Sequence, residues 1–107
     1  MGMTSTVITA DGPTLFLAGD FDVRSTGDVR NAIYDQLSHT AGDLVIDITE
    51  VDTVDLTALK VIGAASRRAS RAGKRIVLRG ACPAVRRMLH LSHLIRVVEL
   101  EREPIPA

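Results

Sequence analysis

The chain of 107 residues has no tryptophan, and aromatic residues make up 3% of it. A core must therefore be built from Val, Ile, Leu and Ala, which the hydrophobic fraction of 46% supplies. Cysteine is nearly absent too. Cys82 stands alone, which excludes an internal disulfide and leaves no cysteine cluster for zinc. No apolar run nears the roughly 18 residues of a membrane span, and no Arg/Lys-led apolar signal segment opens the sequence. Met1-Gly2-Met3-Thr4-Ser5-Thr6 fits a loose myristoylation pattern, for which a disordered start is the simpler account. A cytoplasmic protein without membrane contact is expected. The length suits one domain over residues 1–107, with 1–6 and 101–107 loose.

Net charge is also missing, but its absence hides a polarised chain. Residues 1–55 carry ten Asp/Glu against two Arg, a net of −8, and residues 56–107 carry eleven Lys/Arg against three Glu, a net of +8. The basic half includes a cluster from Arg67 to Arg75, then Arg86 and Arg87. Such a cluster is a candidate nucleic-acid surface. No aromatic stacking platform or RNA-binding signature accompanies it, so a solvated helix face is preferred and no direct nucleic-acid contact is expected.

Periodicity orders the rest. Val7 to Thr9 and Leu15 to Ala18 are β-rich and flank the turn residues Asp11-Gly12-Pro13, which predicts an antiparallel hairpin. Ser25 is a candidate helix cap with Asp28 three residues on. Val29, Ile33 and Leu37 then recur every four residues, and His39-Thr40-Ala41-Gly42 stops the helix. Leu44 to Ile48 reads as a buried strand, followed by an acidic loop from Glu50. A second helix is expected from about Thr57 to Ala72, with Gly73 as its stop. Arg75 to Arg79 reads as a strand, and Cys82-Pro83 begins a third helix burying Val85, Met88 and Leu89. Ile95 to Leu100 is expected to be a last strand. The sum is an α/β chain with a mixed, largely parallel sheet of about five strands and three main helices. Ile33, Leu37, Leu44, Ile46, Ile62, Ala69, Ile76 and Leu78 are its expected core.

Parallel strands ending near Ala18 and Thr49 bring Gly19-Asp20-Phe21-Asp22 and Glu50 to Thr57 onto one rim, where α/β sheets commonly meet ligands and partners. Thr57 opens a helix there. Its plainest role is a cap, although Asp55 serves that role equally well. Its other role is a phosphoacceptor at an anion-tolerant helix N-terminus. Glu50, Asp52 and Asp55 suggest a hard cation, but acidic residues before a helix need no metal, and none is expected. Asp47 at a strand end suggests a receiver aspartate, yet the acidic pair and the later lysine of a receiver are missing. His39, His90, His93 and Cys82 converge with no base or oxyanion site. No catalytic residue and no cofactor are therefore expected.

The chain resembles the STAS domain of anti-sigma-factor antagonists, bacterial regulators also called anti-anti-sigma factors. The resemblance covers roughly residues 7–100. It rests on the hairpin, Gly19-Asp20-Phe21-Asp22 (Gly-x-Leu-Asp in the family), Leu44-Val45-Ile46-Asp47-Ile48 and the strand at Arg75-Ile76-Val77-Leu78. The family motif Asp-Ser-Ser/Thr-Gly reads Asp55-Leu56-Thr57-Ala58 here. Asp55 is kept and Thr57 stands at the phosphoacceptor position. Leu56 removes a second hydroxyl, and Ala58 adds a methyl group that a helical backbone tolerates. With Pro104 and Pro106 in the tail, the family's long C-terminal helix is not expected in these residues.

The resemblance implies a module that binds an anti-sigma factor, often of serine/threonine-kinase fold, and so frees a sigma factor for transcription. Phosphorylation at Thr57 would break that complex. Asp20, Phe21, Asp22, Asp52, Thr53, Asp55, Leu56, Thr57 and Ala58 would form the partner-binding rim. Whether the module is a homodimer stays open.

Overall fold

A computed structural model describes residues 6–101. Five strands form one sheet in the order β1-β2-β3-β4-β5. They are β1 (Val7–Asp11), β2 (Thr14–Phe21), β3 (Leu44–Val54), β4 (Ile76–Arg79) and β5 (Glu99–Leu100). The first pair is antiparallel and the other three are parallel. Between the parallel strands lie the helices α1 (Thr26–His39), α2 (Leu56–Arg71) and α3 (Pro83–Leu91). This is the expected fold class.

Register explains the single core. Leu15, Ile46, Leu78 and Leu100 stand side by side across four strands. Partners in a row share a face, because side chains alternate along each strand. Leu17, Leu44, Ile48 and Ile76 join that face, and Val29, Ile33 and Leu37 of α1, seven residues of α2 and Val85 and Leu89 of α3 fill it. All eight expected core residues are buried. The opposite face carries Phe16, Asp47 and Arg79 in one row, and it is mixed in polarity.

Five local expectations are corrected. The acidic segment after Ile48 is strand as far as Val54, because its backbone pairs with β2 from Ala18↔Glu50 to Phe21↔Val54. Ser25 does not cap α1 with its side chain. It closes a capping box with Asp22 on the 3₁₀ turn Val23–Ser25, and its hydroxyl donates to the Asp22 carbonyl at 3.1 Å. Helix α2 begins at Leu56, one residue early, because Asp55 caps it. The last strand shrinks to Glu99–Leu100. Before it, His93 takes a left-handed conformation (φ 64°) and opens a 3₁₀ turn over Leu94–Arg96, whose following residues pack against Gly63 of α2. Thr6 and Glu101, read as parts of loose termini, are held in place: the Thr6 hydroxyl donates to the Asp20 carbonyl, and the Glu101 N–H donates to the Leu78 carbonyl at 2.8 Å. The rest of both termini, with the prolines of the tail, falls outside the described residues.

The helix ends are tied down by specific bonds. Gly73 (φ 75°) lets the chain reverse after α2, with its N–H on the Ser70 carbonyl and that of Lys74 on Ala69. The Lys74 ammonium donates to the Leu37 carbonyl, joining the C-terminal ends of α1 and α2. Cys82 precedes Pro83 at the start of α3 and is exposed, so the thiol is neither in the core nor a cap.

Candidate functional site

The C-terminal ends of β2 and β3 and the N-terminus of α2 meet at one end of the sheet. Asp20 pairs with Thr53 and Phe21 with Val54, which carries the chain directly to Asp55. Asp52 falls in the register shift between Gly19↔Val51 and Asp20↔Thr53, so it has no backbone partner across the ladder and stands exposed. Strand pairing thus brings Asp20, Asp22, Asp52, Thr53 and Asp55 to a common rim.

Asp55 organises that rim. One carboxylate oxygen accepts the Ala58 N–H at 2.8 Å, capping α2. The other accepts the Val23 N–H at 3.0 Å, and the Asp55 N–H reaches the Phe21 carbonyl at 3.3 Å. A single side chain therefore fixes the 3₁₀ turn after β2 against the start of α2. With Asp55 as the cap, Thr57 lies at the second helical position and is exposed. The cap role read for Thr57 is therefore filled by its neighbour. Leu56 beside it is an exposed large apolar side chain, 38% accessible.

Two residues of the expected rim do not reach the surface. Phe21 and Ala58 are both fully buried. The alternation of β2 turns Phe21 into the core, and the first turn of α2 does the same to Ala58. They support the rim from beneath and offer a partner nothing to touch.

The electrostatics also differ from the simple acidic surface expected from sequence. Arg24, which the sequence reading passed over, grips the Asp22 carboxylate through Nε at 3.0 Å and Nη2 at 2.6 Å, and its Nη2 lies 3.7 Å from Asp20. The hydrogen bond from Arg24 is the main cause that holds the Asp22 carboxyl below its ordinary value, and the same contact raises the Arg24 guanidinium. The Asp20 carboxylate meanwhile accepts the Thr53 hydroxyl at 2.7 Å. The signal for Arg24 was present, since it stands four residues after Asp20 and two after Asp22. Among the described residues no group of three or more His, Cys, Asp or Glu is gathered closely enough to hold a metal ion.

Asp47 lies away from this rim. It is 9% exposed, its Oδ1 accepts the Thr49 N–H at 2.8 Å, and its Oδ2 lies 3.8 Å from Arg79. Arg79 itself makes a two-pronged contact with Glu101, at 2.7 and 2.9 Å. Asp47 is thus an ion-pairing residue bonded within its own strand, at the irregularity that follows Phe16↔Asp47, rather than an open acceptor. The basic residues of α2 lie along the helix beyond its N-terminus, apart from the rim. No helix among the described residues is long and apolar enough to cross a membrane.

Comparison with known proteins agrees with this architecture. No curated protein sequence matches the chain. Among solved structures, an anti-sigma factor antagonist from Mycobacterium paratuberculosis superposes with a TM-score of 0.68 at 23% identity, covering 94% of this chain and 87% of that one. The phosphorylated form of the Bacillus cell fate determinant SpoIIAA gives 0.65 at 14% identity, covering 92% and 93%. A sulfate transporter family protein from Wolinella succinogenes gives 0.66 at 16% identity, covering 84% and 73%. At these identities the likeness establishes the fold alone. A family model described as "Mlab, STAS domain" matches residues 4–99, nearly the whole sequence. The chain belongs to the STAS domain family.

Proposed function

We propose that the protein is an anti-sigma-factor antagonist acting in the cytoplasm. Its rim of Asp20, Asp22, Asp52, Thr53, Asp55, Leu56 and Thr57 docks an anti-sigma factor of serine/threonine-kinase type and so frees a sigma factor. Phosphorylation of Thr57 by that partner ends the complex. The observation that carries the reading is the exposed Thr57 at the second position of a helix whose cap is already supplied by Asp55. A threonine with no capping duty, at a positive helix end, is accessible to a kinase and able to bear a phosphate. Two solved STAS relatives are named as anti-sigma factor antagonists, and SpoIIAA is named in both phosphorylated and unphosphorylated forms.

The physics of the switch follows from the rim. Phosphate adds roughly −1.5 to −2 charges beside Asp52 and Asp55. Within the domain the α2 N-terminus offsets part of the repulsion. A partner surface shaped for a neutral hydroxyl has no such compensation, and an unpaired charge in a desolvated interface costs about 2–5 kcal/mol, roughly 30-fold to several thousandfold in affinity.

The test is calorimetric titration of the wild type, Thr57→Ala and Thr57→Glu with the kinase-fold anti-sigma factor of the same genome, with folding measured beside binding. Thr57→Ala keeps affinity and loses phosphate incorporation, whereas Thr57→Glu loses at least 30-fold. Equal affinities for all three, with no phosphate on Thr57 in cells, would leave an unswitched interaction module. The exposed Leu56 favours that second reading, because it places an apolar contact where the family motif has a serine.

A further inference from the structure

Nine residues beyond Thr57, about 14 Å along the helix, α2 presents a second constellation. Ser66 and Ser70 stand four residues apart, as do Arg67 and Arg71, so both pairs line one side of the helix. Opposite them, Arg96 of the Leu94–Arg96 turn and the adjoining Val97 close a cleft of about 380 Å³. The two walls are held together by contact. A Cβ added to Gly63 would lie 3.0 Å from the Leu94 side chain and 3.6 Å from that of Val97.

Two features of this cleft lack a structural explanation. Ser66 is 7% exposed, and its buried hydroxyl has no hydrogen-bond partner among the described residues. A serine inside a helix ordinarily satisfies its hydroxyl on a carbonyl of the preceding turn, and leaving it unpaired costs stability. Second, the three arginines pair with no carboxylate among the described residues. Four other cations of the basic half are committed, although Lys60 and Arg87, elsewhere on the surface, pair with no carboxylate among the described residues either. Arg68 lies over the Tyr34 ring at 4.6 Å, Lys74 bonds the Leu37 carbonyl, Arg75 pairs with Asp43 and Glu99, and Arg79 with Glu101. The cleft contains no acidic lining residue.

We propose that the cleft between the C-terminal half of α2 and the Leu94–Arg96 turn binds a phosphate-type oxyanion, with Arg67, Arg71 and Arg96 supplying charge and Ser66 a buried O–H donor. Guanidinium forks match tetrahedral oxyanions, which offer acceptors on every side. The carbonyl end of α2 opposes binding with about half a negative charge, and three guanidinium groups outweigh it. The anion is either free phosphate or the phosphomonoester group of a larger molecule, since the cleft is open and its chemistry suits both. The site is separate from Thr57 and independent of the switch.

The test is a ¹H–¹⁵N NMR titration of the full chain with inorganic phosphate, with sodium chloride at matched ionic strength as control. Saturable shifts are expected at the amides of Ser66, Ser70 and Val97, and chloride should not reproduce them. Ser66→Ala should weaken phosphate about tenfold, the worth of one hydrogen bond to a charged group, while raising the urea midpoint in phosphate-free buffer. Arg96→Gln, a surface change on the opposite wall, should weaken it at least as much. Glycerol 3-phosphate binding more tightly than phosphate would identify a carried phosphomonoester, and equal affinity a free anion. Linear shifts matched by chloride would overturn the proposal, as would an affinity unchanged by both substitutions. Tight binding of single-stranded RNA with a steep salt dependence, indifferent to Ser66→Ala, would overturn it in favour of a diffuse basic surface.

Discussion

Replacing Asp55 by alanine should destabilise the fold by about 2–3 kcal/mol, more than an ordinary cap. The cap itself is worth about 1 kcal/mol, since the carboxylate accepts the Ala58 N–H at 2.8 Å. The second bond, to the Val23 N–H at 3.0 Å, is solvent-exposed and adds about 0.5–1 kcal/mol. Removing the negative charge from the α2 N-terminus forfeits another 0.3–1 kcal/mol or so. Asp55→Asn retains one acceptor oxygen and loses the charge, so it should fall near 1 kcal/mol. Urea unfolding followed by far-ultraviolet circular dichroism separates the two, and it suits a chain with no tryptophan and one tyrosine. Backbone amide exchange should quicken at Val23 and Ala58 together, because one side chain holds both. A loss below about 0.5 kcal/mol for Asp55→Ala, near the noise of surface substitutions, would refute the view that this residue clamps the rim.

Gly80 has φ +83°, and a Cβ there would sit 2.8 Å from the Thr49 nitrogen and 2.9 Å from its Cα. Gly80→Ala should therefore cost about 2–4 kcal/mol in urea unfolding, from left-handed strain and a backbone clash combined. A hydrogen bond from Arg79 holds the Glu101 carboxyl below its ordinary value of 4.5. A depressed carboxyl pKa stabilises the fold above pH 4.5 or so, and that contribution is lost as pH falls through the folded value. An NMR titration should give Glu101 a midpoint under 4.5, moving upward in Arg79→Gln. An unchanged midpoint would remove Arg79 as its cause.

The parts of the fold legible in the sequence are those specified by side-chain burial. Val29, Ile33 and Leu37 mark α1 because their spacing matches the helix turn, and Ile76 to Leu78 marks a buried strand by composition. What backbone pairing alone specifies was not legible. The segment from Glu50 to Val54 is acidic and half-exposed, yet it is strand because β2 continues beside it to Phe21. Ile95 to Leu100 misled in the opposite direction. Its β-branched residues pack against α2 through a 3₁₀ turn, and His93 commits the chain to that turn. At the rim, topology was enough to gather Asp20, Asp52, Asp55 and Thr57. Alternation within β2 could have shown that Phe21 faces inward, because Leu15 and Leu17 lie on the same side of the strand.

Arg24 changes how the rim would respond to a phosphate. Counted from sequence, Asp20, Asp22, Asp52 and Asp55 give four charges of one sign around Thr57, a surface that would resist its own phosphorylation. With Arg24 bonded to Asp22 and within 3.7 Å of Asp20, that corner is partly neutralised, and Asp55 is engaged with two backbone N–H groups. Asp52 remains as an exposed carboxylate on the β3 side of the rim, with Glu50 exposed two residues before it. The domain's own energy therefore rises little when Thr57 is modified, since the α2 N-terminus favours the added charge. Under the proposed switch the penalty would fall instead on a bound partner, which must desolvate the phosphate without an opposing cation. On this account the switch resides in the interface and not in a change of fold, so the phosphorylated and unphosphorylated domains should unfold at nearly the same urea concentration while differing widely in affinity.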